Sequence, residues 1–177
     1  MSPGSGAGTP APTRMRAYRR LLLIAVAVLV LDQASKAWIV SRLPFPTYGE
    51  AGGAIPIIRG FFYLVHQGNT GAAWSVLSGR SALLAALAGA TLAAIYFWRH
   101  ALGLKTATAQ IPFGLLCGGI AGNLIDRMAR GHVVDFLDFH FGTYIYPTFN
   151  VADSGICVGV ILYVANSLLH PQVSVEQ

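Results

Sequence analysis

Between Gly118 and Gly155 the chain carries Asp126, Asp135, Asp138 and Asp153 in a stretch otherwise rich in Phe, Val, Leu and Gly. The other acids of the chain are Asp32, Glu50 and Glu176. A carboxylate near hydrocarbon costs roughly 3 kcal/mol or more unless it has a partner or a function. Two carboxyls in environments of different polarity can share one proton. The ionised one then deprotonates water while the protonated one polarises a carbonyl. Asn150-Val-Ala-Asp153 reads as a helix start, an N-cap with an acid three positions on, as in a capping box. The positive end of the helix dipole favours negative charge at Asp153, which makes it one member of such a pair.

Its partner could be Asp126, Asp135 or Asp138. Asp126 is followed by Arg127 at an expected helix C-terminus and suits a structural ion pair or hydrogen-bond anchor equally well. Asp138 sits in Phe-Leu-Asp-Phe-His-Phe and reads as an exposed interfacial residue. Asp135 follows two valines and precedes Phe136, so it is an acid among apolar neighbours. Residue chemistry alone puts Asp135 modestly ahead.

The elements that must position these acids are membrane helices. The chain is 54% hydrophobic and 11% charged, with a mean hydropathy of +0.57. Apolar stretches recur at the length of a bilayer span, about 20 residues. Spans are expected at about 18–40, 81–99, 106–127 and 150–169, giving one membrane domain over 18–170 with outer segments 41–80 and 128–149. The first span is interrupted by Asp32, Gln33, Ser35 and Lys36, with Asp32 and Lys36 on one face at i,i+4 spacing. Arg19-Arg20 before its apolar run also resembles a signal peptide. However, the run continues past the polar patch and no A-x-A site follows.

Arg14, Arg16, Arg19 and Arg20 precede the first span, and Arg99, His100 and Lys105 lie between the second and third. Basic flanks favour the cytoplasm, which puts both termini inside. Arg42, Arg59, Arg80, Arg127 and Arg130 oppose this assignment. The net charge of +5 reads as a topology signal, since no basic stripe interleaved with aromatics suggests nucleic acid.

The outer segment 41–80 holds strand-like runs at Ala54–Ile58 and Phe61–His66 between glycines and prolines, so a small β-structure on the membrane surface is expected. Asn69-Thr70-Gly71 reads as a turn. The second outer segment is aromatic-rich and suits the headgroup level. Gly114, Gly118 and Gly122, and again Gly155 and Gly159, fall every fourth residue and allow close helix approach. Asp126 continues the first stripe toward the side where the fourth helix begins. The Gly/Pro/Ser-rich start, within 1–17, and the tail 171–177 read as disordered. Cys117 and Cys157 lie inside spans as small hydrophobes. The five histidines show no metal-ligand spacing. Intramembrane acids with an arginine also suit a small proton-coupled transporter, the rival reading.

Five strings occur in order: LDQASK (31–36), NTGAAWS (69–75), GNLIDR (122–127), VVDF (133–136) and FNVADS (149–154). Together, over roughly residues 18–168, they resemble the lipoprotein signal peptidases (signal peptidase II), bacterial membrane aspartyl peptidases. The resemblance implies an all-α integral membrane protein of four transmembrane helices with a small extracytoplasmic β-sheet cradle. It implies a catalytic pair at Asp135 and Asp153. Asn69, Asn123, Asp126, Arg127 and Asn150 would stand around the substrate, with Asp32 and Lys36 steadying the first helix. The implied substrates are diacylglyceryl-modified prolipoproteins, cut before the lipidated cysteine at the outer face of the bacterial cytoplasmic membrane. Membrane lipid is the surrounding partner, and no metal, cofactor, nucleic acid or obligate protein partner is implied.

Overall fold

The computed structural model describes residues 17–47, 53–72, 74 and 76–169. The tails expected over 1–17 and 171–177 lie outside these residues, except Ala17, which with Tyr18 forms a short turn into the first helix. Four helices occupy the expected positions: α1 (Arg19–Arg42), α2 (Ser81–Phe97), α3 (Ala107–Arg130) and α4 (Val151–Leu169). Of these, α1, α3 and α4 are long and apolar enough to cross a membrane, while α2 has 17 residues. At 1.5 Å per residue α2 is about 26 Å long, just under a typical hydrocarbon core. Large side chains such as Leu23, Val30, Leu87, Ile161 and Val164 are exposed on the helices. Such outward apolar faces belong in lipid.

The centre of the bundle is α3, whose apolar window is 44% buried against 22% for α1 and 17% for α4. Glycine makes that centre possible. A Cβ at Gly118 or Gly122 would run into Ala25 or the Asp32 carboxylate of α1, and one at Gly119 into the Ala152 carbonyl of α4. The stripe Gly114–Gly118–Gly122 therefore packs on α1, a partner that its spacing left open. Gly119 is the α3 glycine that meets α4, facing Gly155 and Gly159, which pack back against Leu115 and Pro112. The helix rotation that decides between the two neighbours is invisible to a four-residue period. α1 and α3 run parallel, with α4 antiparallel to both.

The segments between α1 and α2 and between α3 and α4 build one antiparallel sheet in the order β1-β2-β3-β4, with β1 (Ile55–Ile58), β2 (Phe62–Asn69), β3 (Val133–Phe141) and β4 (Tyr144–Ile145). Two strands were not foreseen, since 128–149 reads only as an aromatic interfacial stretch. Both faces of VVDFLDFHF mix acids with large apolar groups, so the apolar/polar alternation that reveals a half-exposed strand is missing. β3 nevertheless has two distinct faces. Val134 and Phe136 pack with Ile39 and Leu43 at the end of α1, while Val133, Asp135, Phe139 and Phe141 face a cavity.

Register then brings distant residues together. Gln67 pairs with Asp135 and Asn69 with Val133, after an irregularity between Leu64 and Gln67. β2 runs to Asn69, so Asn69 ends a strand and the bend falls at Thr70–Gly71. Phe149 bridges Leu137 and accepts the Phe136 and Leu137 N–H groups. That contact sets the first residues of α4 beside β3.

Candidate active site

Three asparagines, each from a different element, aim amide N–H groups at two carboxylates. Asn69 at the end of β2 accepts the Gly71 N–H at 2.8 Å through Oδ1, and its Nδ2 donates to Asp135 Oδ2 at 3.0 Å. Asn150, just before α4, accepts the Asp153 N–H at 2.9 Å, and its Nδ2 donates to Asp135 Oδ1 at 2.7 Å. Asn123 on α3 accepts from Lys36 Nζ at 3.0 Å, and its Nδ2 donates to Asp153 Oδ1 at 2.7 Å. In every case Oδ1 meets a group that can only donate, a backbone N–H or an ammonium. The amide cannot flip without losing that bond.

Asn150 is the shared member. The capping box forms, because the Asn150 N–H also donates to Asp153 Oδ2 at 3.3 Å. One residue thereby holds both Asp135 and Asp153. Each of the four carboxyl oxygens accepts a hydrogen bond from a neutral donor.

Among the described residues, no lysine or arginine comes within ion-pair range of Asp135 or Asp153. Asp135 is 3% exposed. Burial, followed by the charge on Asp153, pushes its pKa up from 3.8 to about 7, against the opposing pull of Asn69, Asn150 and Lys36. At neutral pH the Asp135 carboxyl is therefore poised to hold or release a proton.

A second layer lies beneath, and it is ionic. Lys36 Nζ sits 2.8 Å from both Asp32 Oδ2 and Asp126 Oδ2, with all three side chains fully buried. Arg130 reaches Asp126 Oδ1 at 2.6 Å. Gln33 Nε2 donates to Asp32 at 3.1 Å and to the Gly122 carbonyl at 3.2 Å.

This layer has a mechanical purpose. Asp32 Oδ1 accepts the Ala152 N–H at 2.9 Å, which satisfies a first-turn donor of α4. Asp126 Oδ2 accepts the Val134 N–H at 3.2 Å, one residue before Asp135. Asp32 and Lys36, expected to steady α1, make contacts that join α1 to α3 and to the start of α4.

Both carboxylates open into a cavity of about 970 Å³ with Asn69, Asn123 and Arg127 at its polar end and Phe139, Tyr146 and Phe149 along its apolar wall. Arg127 donates to the Gly71 carbonyl at 2.9 Å, which ties α3 to the loop after β2, and its buried Nε has no partner among the described residues. Of the candidate partners for Asp153, only Asp135 faces this cavity. Asp126 belongs to the ionic layer.

Asp138 is not the exposed interfacial residue its aromatic setting suggested. It is 1% exposed and lies 2.7 Å from His140 Nε2. Two strand positions separate Asp138 from His140, so both point to the same face of β3, away from the face that carries Asp135.

Sequence reasoning missed Gln33 and Arg130. Arg130 was recoverable, being four residues beyond Asp126 on one helix. Gln33 carried no signal beyond its place in LDQASK.

Residues 24–169 match the family described as signal peptidase (SPase) II. A lipoprotein signal peptidase from Bacillus pumilus is 40% identical over 147 residues, covering 83% of this chain and 91% of its own length. One from Geobacillus kaustophilus is 42% identical over 139 residues, covering 78% and 86%. A solved bacterial membrane enzyme, determined by the in meso method at 2.3 Å, superposes with a TM-score of 0.76 at 32% identity, covering 89% of this chain and 92% of that one. The protein is a bacterial membrane protease, and the chain belongs to the signal peptidase II family.

Proposed function

We propose that Asp135 and Asp153 are the catalytic pair with which this signal peptidase II removes signal peptides from prolipoproteins. The observation that carries the assignment is Asn150, which hydrogen-bonds both carboxyls at the polar end of the large cavity. Family membership displaces the transporter reading.

In the reaction we infer, a water between the two acids attacks the scissile carbonyl carbon. Its proton passes to ionised Asp153, while Asp135 gives its proton to the carbonyl oxygen. Collapse of the tetrahedral species breaks the C–N bond as Asp153 returns a proton to the departing nitrogen and Asp135 takes one back from a gem-diol hydroxyl. No covalent enzyme intermediate forms. Asn69, Asn123 and Asn150 hold the acids in place and keep positive charge away from them. Asp32, Lys36 and Asp126 brace the elements that carry them, and Arg127, in the cavity wall, is placed to hold a substrate carbonyl or headgroup.

The substrate is a diacylglyceryl-modified precursor cut before its lipidated cysteine. Its acyl chains remain in the bilayer beside the apolar wall while the peptide bond meets the acids.

All four helices, the short α2 included, cross the membrane in this reading, as one domain over 18–170. Arg19, Arg20, Arg99 and Lys105 gather at the bundle end opposite the aspartates. This supports cytoplasmic termini and a catalytic pair at the outer face.

The decisive experiment uses purified protein and a diacylglyceryl-modified precursor. Asp135→Asn and Asp153→Asn should each abolish cleavage in a protein that stays folded. Retained cleavage in either variant removes that residue from the pair.

A further inference from the structure

At the end of the bundle far from the aspartates lies a second cavity, of about 580 Å³, between the first turns of α1 and α3. Arg19, Arg20 and Lys105 line it, with Leu23 and Gln110 among its other walls. Because α1 and α3 are parallel, both helices turn their positive ends toward this space. α1 starts with no side-chain cap and no acid in its first turn, and carries two arginines there instead. The first turn of α3 holds no acid, and its Thr106 cap takes one first-turn donor, the Ala109 N–H at 3.3 Å.

Among the described residues, no carboxylate lies within ion-pair range of Arg19, Arg20 or Lys105. Arg99 is engaged elsewhere, on the Tyr96 carbonyl at 2.7 Å and over its ring at 4.6 Å.

The cavity walls are tied together by a buried side chain. Gln110, 6% exposed, donates through Nε2 to the Ala17 carbonyl at 2.9 Å and to the Lys105 carbonyl at 3.1 Å. Both bonds require Nε2 to be the donor, which leaves Oε1 without a partner among the described residues. A hydroxyl-bearing ligand would satisfy it. Below the cations, Leu22, Leu23 and Val26 are exposed apolar residues of α1. A ligand with a phosphate at its head and hydrocarbon beneath matches this arrangement.

We propose that this cavity binds the phosphate of an anionic phospholipid headgroup, with the acyl chains running down the exposed face of α1. Three cations and two helix ends favour a net negative headgroup over a zwitterionic one. On the topology inferred above this is the cytoplasmic leaflet, although the binding does not depend on which way the bundle faces.

The test uses the full chain in a neutral detergent, with native mass spectrometry for lipid retention and thermal unfolding for stabilisation. Phosphatidylglycerol, phosphatidylcholine and inorganic phosphate are added at equal phosphorus concentration. Phosphatidylglycerol should be retained and should raise Tm, and the other two should do neither. Removing one cation by Lys105→Gln should weaken phosphatidylglycerol binding about fivefold. The combined Arg19→Gln, Arg20→Gln and Lys105→Gln variant should lose about a hundredfold in affinity, yet still cleave a lipidated precursor at the wild-type rate in the same detergent. If the combined variant fails to fold, the Lys105→Gln result decides alone. Undiminished phosphatidylglycerol binding in the variant that decides, or equal retention of phosphatidylcholine, overturns the site. Equal stabilisation by inorganic phosphate overturns its assignment to lipid.

Discussion

Four carboxylates cluster at one end of the bundle, and they form two groups with opposite electrostatics. Asp32 and Asp126 are fully buried around Lys36, with Arg130 closing the second side of Asp126. Asp135 and Asp153 accept only from asparagine side chains and one backbone N–H, with no cation in ion-pair range among the described residues.

A buried carboxylate held by a buried cation is locked in an ion pair. Its removal leaves a charge stranded, so its role is read in stability. A buried carboxylate held by neutral amides next to another acid sits near its own protonation midpoint, as Asp135 does at about 7. Its role is read in proton transfer. On the proposed assignment, the kind of partner separates structural acids from chemical ones, where burial does not.

The largest effect should come from the amide-held pair. Asp135→Asn or Asp153→Asn should lower cleavage of a lipidated precursor by about a thousandfold or more, with Tm shifted by less than about 3 °C. The ionic pair should behave in reverse. Lys36→Met strands Asp32 and leaves Asp126 with Arg130 alone, so unfolding in detergent should show a loss of about 3–5 kcal/mol, with activity falling because the fold is lost. If Lys36→Met left stability intact while abolishing cleavage, the division into two groups would fail.

Smaller effects sharpen the boundary. Asn123→Ala removes the donor to Asp153 Oδ1 at 2.7 Å and an acceptor for Lys36, and should cost roughly 10- to 100-fold in kcat with little change in KM. The pH profile tests the proton on Asp135. The proposed mechanism needs that carboxyl protonated, so the rate should fall as pH rises through about 7. The Asn69 hydrogen bond lowers the Asp135 pKa, so Asn69→Ala should move this alkaline limb to higher pH. A limb that moved down, or did not move, would detach Asn69 from Asp135. The smallest effect on catalysis belongs to Asp138→Asn, less than about twofold in rate. Its pairing with His140 on the far face of β3 limits it to about 1–2 kcal/mol of stability.

The helices were legible in the sequence because hydrophobic length and the small-residue repeat are local properties. So was the start of α4, since Asn150 and Asp153 cap one another within a single turn. The strand carrying Asp135 was hidden, since acids and aromatics on both faces of β3 erase the period-2 signal. Arg130 was missed although it stands at helical spacing from Asp126, and Asp138 looked exposed although β3 buries it.

Residue types along the chain determined a membrane protein whose acids needed partners, narrowed the catalytic choice to a few aspartates and, through five ordered strings, pointed to a family. Which partner each acid received was decided only by tertiary structure. The rotation that turns Gly122 toward Asp32, the register that sets Asn69 beside Asp135, and the Phe149 bridge that delivers Asn150 to Asp135 join residues from different elements. Pairing of that kind follows from packing three helices and a sheet against one another, and no local spacing encodes it.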